Sequence, residues 1–303
     1  MELDTIGIDL AKTVFHLVGL SRAGEVVVRK RFSRPQLLRF TGNLRVRLIG
    51  MEACGGSHFL GRRLREQGHE VRLIPAQYVK PYVKTNKNDY IDAEAIAEAV
   101  GRPTMRFVPI KSDDQLDMQS LHRVRDRWVA RRTSVINQIR GLLLERGITF
   151  RKGRRHAEAC LPGILEDADN RLSGLLRMLL AQLQGELRQL QSQIDEADAL
   201  VAKAAREHEP CQRLMAIPGI GPLTATAVVA SIGSGAEFRK GRSFAQSPGL
   251  NMWLGQLASR AHTNIVAVAL ASKMARVAWA VLAKSEAYRP PLLVTPAEAM
   301  ACN

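Results

Sequence analysis

Apolar and polar positions alternate over residues 5–9, 14–20 and 25–32, and β-rich side chains fill those stretches, which predicts three short strands. Ala23-Gly24 supplies a tight turn between the second and third. Residues 35–42 read as a short helix and residues 45–51 as a fourth strand. After Cys54-Gly-Gly-Ser57 comes an amphipathic helix that runs through Leu64 to about residue 68. Residues 71–74 form another strand, and residues 89–100 are helical.

The pattern then changes period. Residues 112–147 read as one long helix with a buried stripe of Met118, Leu121, Val124, Trp128, Val135, Ile139 and Leu142. Arg123, Arg125, Arg127, Arg131, Arg132 and Arg140 lie off that stripe, and residues 151–155 add a basic loop containing Arg154 and Arg155. In the next helix Leu176, Leu180, Leu183, Leu187, Leu190, Ile194, Ala197 and Val201 alternate spacings of four and three. That heptad seam predicts a coiled coil and association of copies through it, the other reading being an ordinary bundle helix within one chain. Pro210 ends the helix, and the remainder is mostly helical. The expected domains are therefore 1–110 (α/β), 111–209 (long basic helix and coiled-coil connector) and 210–303 (mostly α).

Charge narrows the partners. The 303 residues carry 44 Lys and Arg against 29 acids, a formal net charge of +15, and a balance that basic suits a polyanion such as nucleic acid. No basic segment followed by an apolar run marks a signal peptide, and no stretch has the roughly 20 apolar residues of a membrane span. Cys54, Cys160, Cys211 and Cys302 show no metal-ligand spacing, which points to free thiols in a reducing cytoplasm.

Four carboxylates stand out by position. Asp9 ends the first strand, in Ile6-Gly-Ile-Asp, where apolar neighbours imply burial and a lone charge would be costly. Glu52 ends another strand, in Gly50-Met-Glu. Asp89 and Asp92 open a helix at a spacing that puts them on one face, about 5–6 Å apart at Cβ. Either of the pair could simply cap that helix. In a ribonuclease-H-like sheet the first strand is central, the fourth lies beside it, and the last helix packs across their ends. The order of elements fits that fold, among other mixed α/β folds, and in it all four acids converge. Hard oxygen donors of this kind suit Mg2+ or Mn2+, and paired ions can stabilise attacking and leaving oxygens at a phosphodiester.

The blocks Ile6-Gly-Ile-Asp-Leu-Ala-Lys-Thr-Val-Phe15, Gly50-Met-Glu-Ala-Cys-Gly-Gly-Ser57 and Lys87-Asn-Asp-Tyr-Ile-Asp-Ala-Glu-Ala-Ile96 resemble the three signature blocks of the DEDD insertion-sequence transposases, which include pilin-gene invertases and bridge-RNA-guided recombinases. The Arg-rich residues 124–147 and residues 214–221 are similar as well. The resemblance implies a RuvC-like, ribonuclease-H-like N-terminal domain and metal-dependent DNA cleavage and exchange. Asp9, Glu52, Asp89 and Asp92 would be its catalytic, metal-binding acids. It also implies a DNA partner and, as in some relatives, a guide RNA.

Residues 214–227 read as helix, Gly-Ile-Gly turn, helix; such a helix-hairpin-helix-like unit can offer the amides at Gly219 and Gly221 to a DNA backbone, or be a plain turn. Arg131, Arg132, Arg154, Arg155, Arg239, Lys240 and Arg242 complete the expected nucleic-acid contacts. The resembling family also places a nucleophilic serine in a Ser/Gly/Lys-rich stretch after a Gly-Leu motif. Here Ser243-Phe-Ala-Gln-Ser-Pro-Gly-Leu-Asn-Met252 runs directly into Trp253-Leu-Gly-Gln256, and the stretch is missing. Ser243, Ser247 and Ser259 lack the matching neighbours, so no serine nucleophile is assigned. Two other readings follow: a nuclease of the Holliday-junction-resolvase type that uses water, and a nucleic-acid-binding transposase relic without catalysis.

Overall fold

The computed structural model describes residues 2–83, 88–235 and 264–288, with side chains in the last segment from residue 271 onward. The chain divides into two compact units, Met1–Asp113 and Asp114–Asn303.

The first unit is built on a five-stranded mixed sheet. Its strands are β1 (Leu3–Leu10), β2 (Phe15–Ser21), β3 (Val26–Phe32), β4 (Leu48–Glu52) and β5 (Val71–Ile74), in the order β3-β2-β1-β4-β5. β1 pairs antiparallel with β2 and parallel with β4, so the first strand is central and the fourth lies beside it. The hairpin from β2 to β3 turns on Gly24, whose φ of 85° is open to glycine at no steric cost.

Helices cover both faces. On one, α1 (Arg34–Gly42) and α2 (Ser57–Glu66) contribute Leu37, Leu60 and Leu64 to a core with Ile6, Ile8, Phe15, Leu17, Ile49, Met51 and Leu73. On the other, α4 (Asp89–Val100), which follows the short α3 (Ala76–Val79), lies across β1, β2 and β4. Its buried face is Ala93, Ala95, Ile96, Ala97, Ala99 and Val100, small enough for a very close approach. A Cβ on Gly7 of β1 would stand 2.1 Å from the Ala93 carbonyl oxygen, and one on Gly50 of β4 would stand 2.7 Å from Val100 Cβ. Arg29 of β3 donates to Glu94 at 2.8 Å and holds the same helix from the sheet edge.

The second unit is helical: α5 (Asp113–Leu144, its first residue in the first unit), α6 (Arg154–Glu166), α7 (Gly174–Glu207), α8 (Glu209–Met215), α9 (Pro222–Ile232) and α10 (Asn264–Ala283). The heptad pattern of α7 is real, but its occupant differs from the expectation. Leu176, Leu180, Leu187 and Leu190 are buried against Val135, Ile136, Ile139 and Leu143 of α5 and Ala157 and Leu161 of α6. Leu183 is partly buried in the same core, and Ile194, Ala197 and Val201 are buried too. The apolar seam is filled from within the chain.

Two further corrections concern the basic segment. Val124, expected in the buried stripe of the long helix, is 43% exposed, while Val135 and Ile139 of the same stripe are buried with Ile136 and Leu143. Arg154 and Arg155, read as loop, open α6, a helix that continues through Pro162. The C-terminal helices α8, α9 and α10 form a separate core around Leu214, Ile217, Ile220, Val228, Ala278 and Leu282. No helix among the described residues is long and apolar enough to cross a membrane.

Candidate metal centre

Successive side chains along a strand point to opposite faces, and that rule alone assembles the site. In β1, Ile6 and Ile8 enter the α1/α2 core, so Gly7 and Asp9 face α4. In β4, Ile49 and Met51 enter the same core, so Gly50 and Glu52 face α4. In β2, Phe15 and Leu17 take the α1/α2 side, while Val18 and Leu20 pack with Ala93 and Ala97 and His16 shares their parity. Asp9 is the direct cross-strand partner of His16, and Glu52 follows the Ile8↔Met51 pair of β1 and β4. The three polar side chains therefore sit at one end of three adjacent strands, on one face.

The N-terminus of α4 meets them there. Asn88 caps this helix, its side-chain oxygen accepting the Tyr90 N–H at 2.8 Å. Asp89 and Asp92 lie in the first turn, where the positive end of the helix favours anionic groups. With Asn88 in the capping role, both acids are released from it.

Ligand atoms of Asp9, His16 and Asp89 all lie within 4.8 Å of one another. His16 Nδ1 stands 3.4 Å from Asp89 Oδ2 and has no hydrogen-bond partner among the described residues, although it is buried. The His16 ring is held edge-on to Tyr90, with centroids 4.9 Å apart. Burial pushes the Asp9 carboxyl above its usual range, the charges of Asp92 and Asp89 push it further, and His16 opposes them. A carboxylate so crowded by its own kind is stabilised by a cation.

Asp92 and Glu52 stand outside the tight group of three. Asp92 is linked to it by its effect on Asp9. The Cys54 thiol is raised first by burial and then by the charges of Glu52 and Asp9, so both carboxylates act on one sulfur. Of the four acids, Asp9 and Asp89 are brought together directly, with Asp92 and Glu52 close by. His16 was not singled out in the sequence. Only the register of the β1–β2 hairpin, which pairs Asp9 with His16, puts both on one face.

The expected nucleic-acid residues are more dispersed. Arg131 donates to Glu186 and Arg132 to Gln191, each at 2.7 Å, so both tie α5 to α7. Arg154 bonds Glu158 one turn along α6. Gly219, at φ 88°, makes the turn between α8 and α9, and Gly221 is the N-cap of α9. Arg239, Lys240, Arg242, Ser243, Ser247 and Ser259 lie outside the described residues.

A mixed sheet that gathers carboxylates and an imidazole at one helix N-terminus defines an α/β protein with a donor set suited to a divalent cation. Comparison with known proteins supplies the family. A transposase model of the DEDD, IS110 type matches residues 6–147, and the model for the transposase IS116/IS110/IS902 family matches residues 211–288. A probable family 20 transposase of Pseudomonas aeruginosa is 40% identical, over 96% of this chain and 100% of that protein. The transposase for insertion sequence element IS1328 of Yersinia enterocolitica is 35% identical, over 93% and 98%. That for IS1111A of Coxiella burnetii is 35% identical, over 95% and 92%. The chain belongs to the IS110/IS116 family of insertion-sequence transposases, and membership makes it a DNA-processing enzyme.

The alignment with the Pseudomonas relative extends over 337 positions, more than the 303 residues present here, so that relative carries residues without a counterpart in this chain.

Proposed function

We propose that this chain is a DNA strand-cleaving transposase whose first unit is ribonuclease-H-like and whose acids Asp9, Glu52, Asp89 and Asp92 hold Mg2+ or Mn2+. The observation that carries the reading is the convergence of β1, β2, β4 and the α4 N-terminus on one crowded cluster. The residues fit such an ion: carboxylate oxygens dominate, and a buried imidazole nitrogen makes no hydrogen bond among the described residues. When bound, the ion would supply the positive charge that polarises a phosphodiester and offsets charge on the attacking and leaving oxygens. The chain's own part is positioning. Gly7 and Gly50 let α4 close onto the sheet, which sets the separation between Asp9 and the Asp89/Asp92 pair. Asn88 fixes where the helix begins and hence where both acids point.

DNA contacts are assigned to Arg154, Arg155, Arg239, Lys240 and Arg242, and to the turn at Gly219 and Gly221. Arg131 and Arg132 are already engaged by α7 and contribute charge from there. A guide RNA remains part of the proposal on the strength of the family resemblance.

A second reading has its own support. The Ser/Gly/Lys-rich stretch expected after Leu250 is missing, and alignments with relatives are longer than the chain. Without that stretch the covalent serine step has no assigned nucleophile, and the acids would support hydrolytic nicking with water. The deciding experiment is recombination between the element's own ends, with flanking DNA present, read beside a denaturing gel for protein–DNA adducts. Metal-dependent nicks without recombinants or adducts are expected. Efficient recombination with an adduct at Ser243, Ser247 or Ser259 would overturn the impaired-exchange reading.

A further inference from the structure

Among the polar groups facing the carboxylates, His16 differs in kind. It is 9% exposed, it is the direct cross-strand partner of Asp9, and its Nδ1 is directed at Asp89 Oδ2 across 3.4 Å without the geometry of a hydrogen bond. A buried polar atom that makes no hydrogen bond among the described residues is uncommon in folded proteins, and this one faces the Asp89 carboxylate. Two observations bear on the role of that nitrogen. The ring is fixed through its edge contact with Tyr90 rather than through Nδ1. Asp9, the cross-strand partner of His16, is itself crowded by the charges of Asp92 and Asp89.

Resting on the metal-site reading above, we propose that His16 is a nitrogen ligand to the bound ion, so that the site is a mixed carboxylate–imidazole centre selecting Mn2+ over Mg2+. The ligand atoms of Asp9, His16 and Asp89 already lie within 4.8 Å of one another, so each can reach one ion. An all-carboxylate site suits Mg2+, a hard ion that keeps its waters and favours oxygen. A neutral imidazole adds a softer donor, which raises affinity along the first transition row while doing little for Mg2+. Placement of His16 at the second position of β2 makes this choice local. The Asp9↔His16 pairing across the β1–β2 hairpin is what brings the nitrogen to the acids.

The test uses the full-length protein and Mn2+ alone, followed by electron paramagnetic resonance. The free-ion signal gives affinity, competition with Mg2+ gives selectivity, and electron spin echo modulation reports any nitrogen bonded to the ion. In the wild type, Mn2+ binding that is lost in Asp9→Asn, together with nitrogen modulation, is expected. His16→Gln should remove the modulation, weaken Mn2+ by at least about tenfold and leave Mg2+ nearly unchanged. His16→Asp, which restores an oxygen donor, should bind without modulation and shift preference toward Mg2+. The wild-type spectrum decides the issue even where a variant folds poorly. Asp9-dependent Mn2+ binding without nitrogen modulation overturns His16 ligation and leaves the carboxylate site standing. Modulation that persists in His16→Gln has the same consequence. A wild type that binds no Mn2+ at all removes the metal site itself.

Discussion

Gly7 does more for the site than any neutral residue around it. With a 2.1 Å clearance between its virtual Cβ and the Ala93 carbonyl, no side chain fits without moving α4 off the sheet. Gly7→Ala should cost about 1–3 kcal/mol of stability, the usual penalty of overpacking. Because the same shift separates Asp9 from Asp89 and Asp92, stabilisation by Mn2+ should fall with it; unfolding melts with and without the ion would show both losses. His58 makes a pH prediction. Its Nδ1 accepts the Lys111 N–H at 3.2 Å, and burial, aided by Lys111 and Arg62, holds its pKa below the ordinary 6.5. The folded state resists taking up this proton, so the contribution is complete above pH 6.5 and is lost as pH falls below it through the folded value. His58→Gln keeps an acceptor but cannot titrate, and its stability should decline less between pH 7 and pH 5 than that of the wild type. Equal slopes would show that His58 does not carry the effect. At this scale Asp9 and Glu52 stood out because each ends an apolar strand, a costly place for an unpaired charge, and Asp89 and Asp92 because their spacing puts both on one face at a helix start. His16 did not, since its meaning depends on the β1–β2 register, which no local pattern states.

Among elements, α7 shows how far periodicity goes. The spacing of Leu176, Leu180, Leu187 and Leu190 identified a buried seam correctly, yet a seam does not name its partner. α5 and α6 supply Val135, Ile139, Leu143 and Leu161 against it. Leu180→Ala should accordingly cost about 2–5 kcal/mol, with a melting temperature independent of protein concentration. Dissociation of an oligomer, seen as concentration dependence, would instead restore the coiled-coil association. α6 itself was missed because the basic run at its start read as loop, although Ala157 and Leu161 carry a helical spacing. The strands of the sheet were legible from alternation, and their order was inferred through the fold the pattern suggested. The parallel pairing of β1 with β4 joins residues more than forty positions apart, beyond what local sequence specifies.

At the scale of the molecule, a formal charge of +15 predicts nucleic-acid binding that weakens steeply with salt. Each phosphate contact contributes a log–log slope of about −0.9 on duplex DNA. Arg154→Ala with Arg155→Ala should flatten that slope by up to two such increments, whereas replacing Arg131, which binds Glu186, should also loosen the α5–α7 packing. An unchanged slope in the double variant would move the DNA contacts elsewhere. The central claim is that acids from β1, β4 and α4 form one cation site that cuts DNA. The most direct measurement is nicking of a supercoiled plasmid carrying the element's ends, with Mg2+ or Mn2+ and with chelator, for the wild type and for Asp9→Asn. The account predicts nicks with the wild type and metal only, and none above background with chelator or with folded Asp9→Asn. Equal nicking by Asp9→Asn, or nicking that persists in chelator, would contradict it.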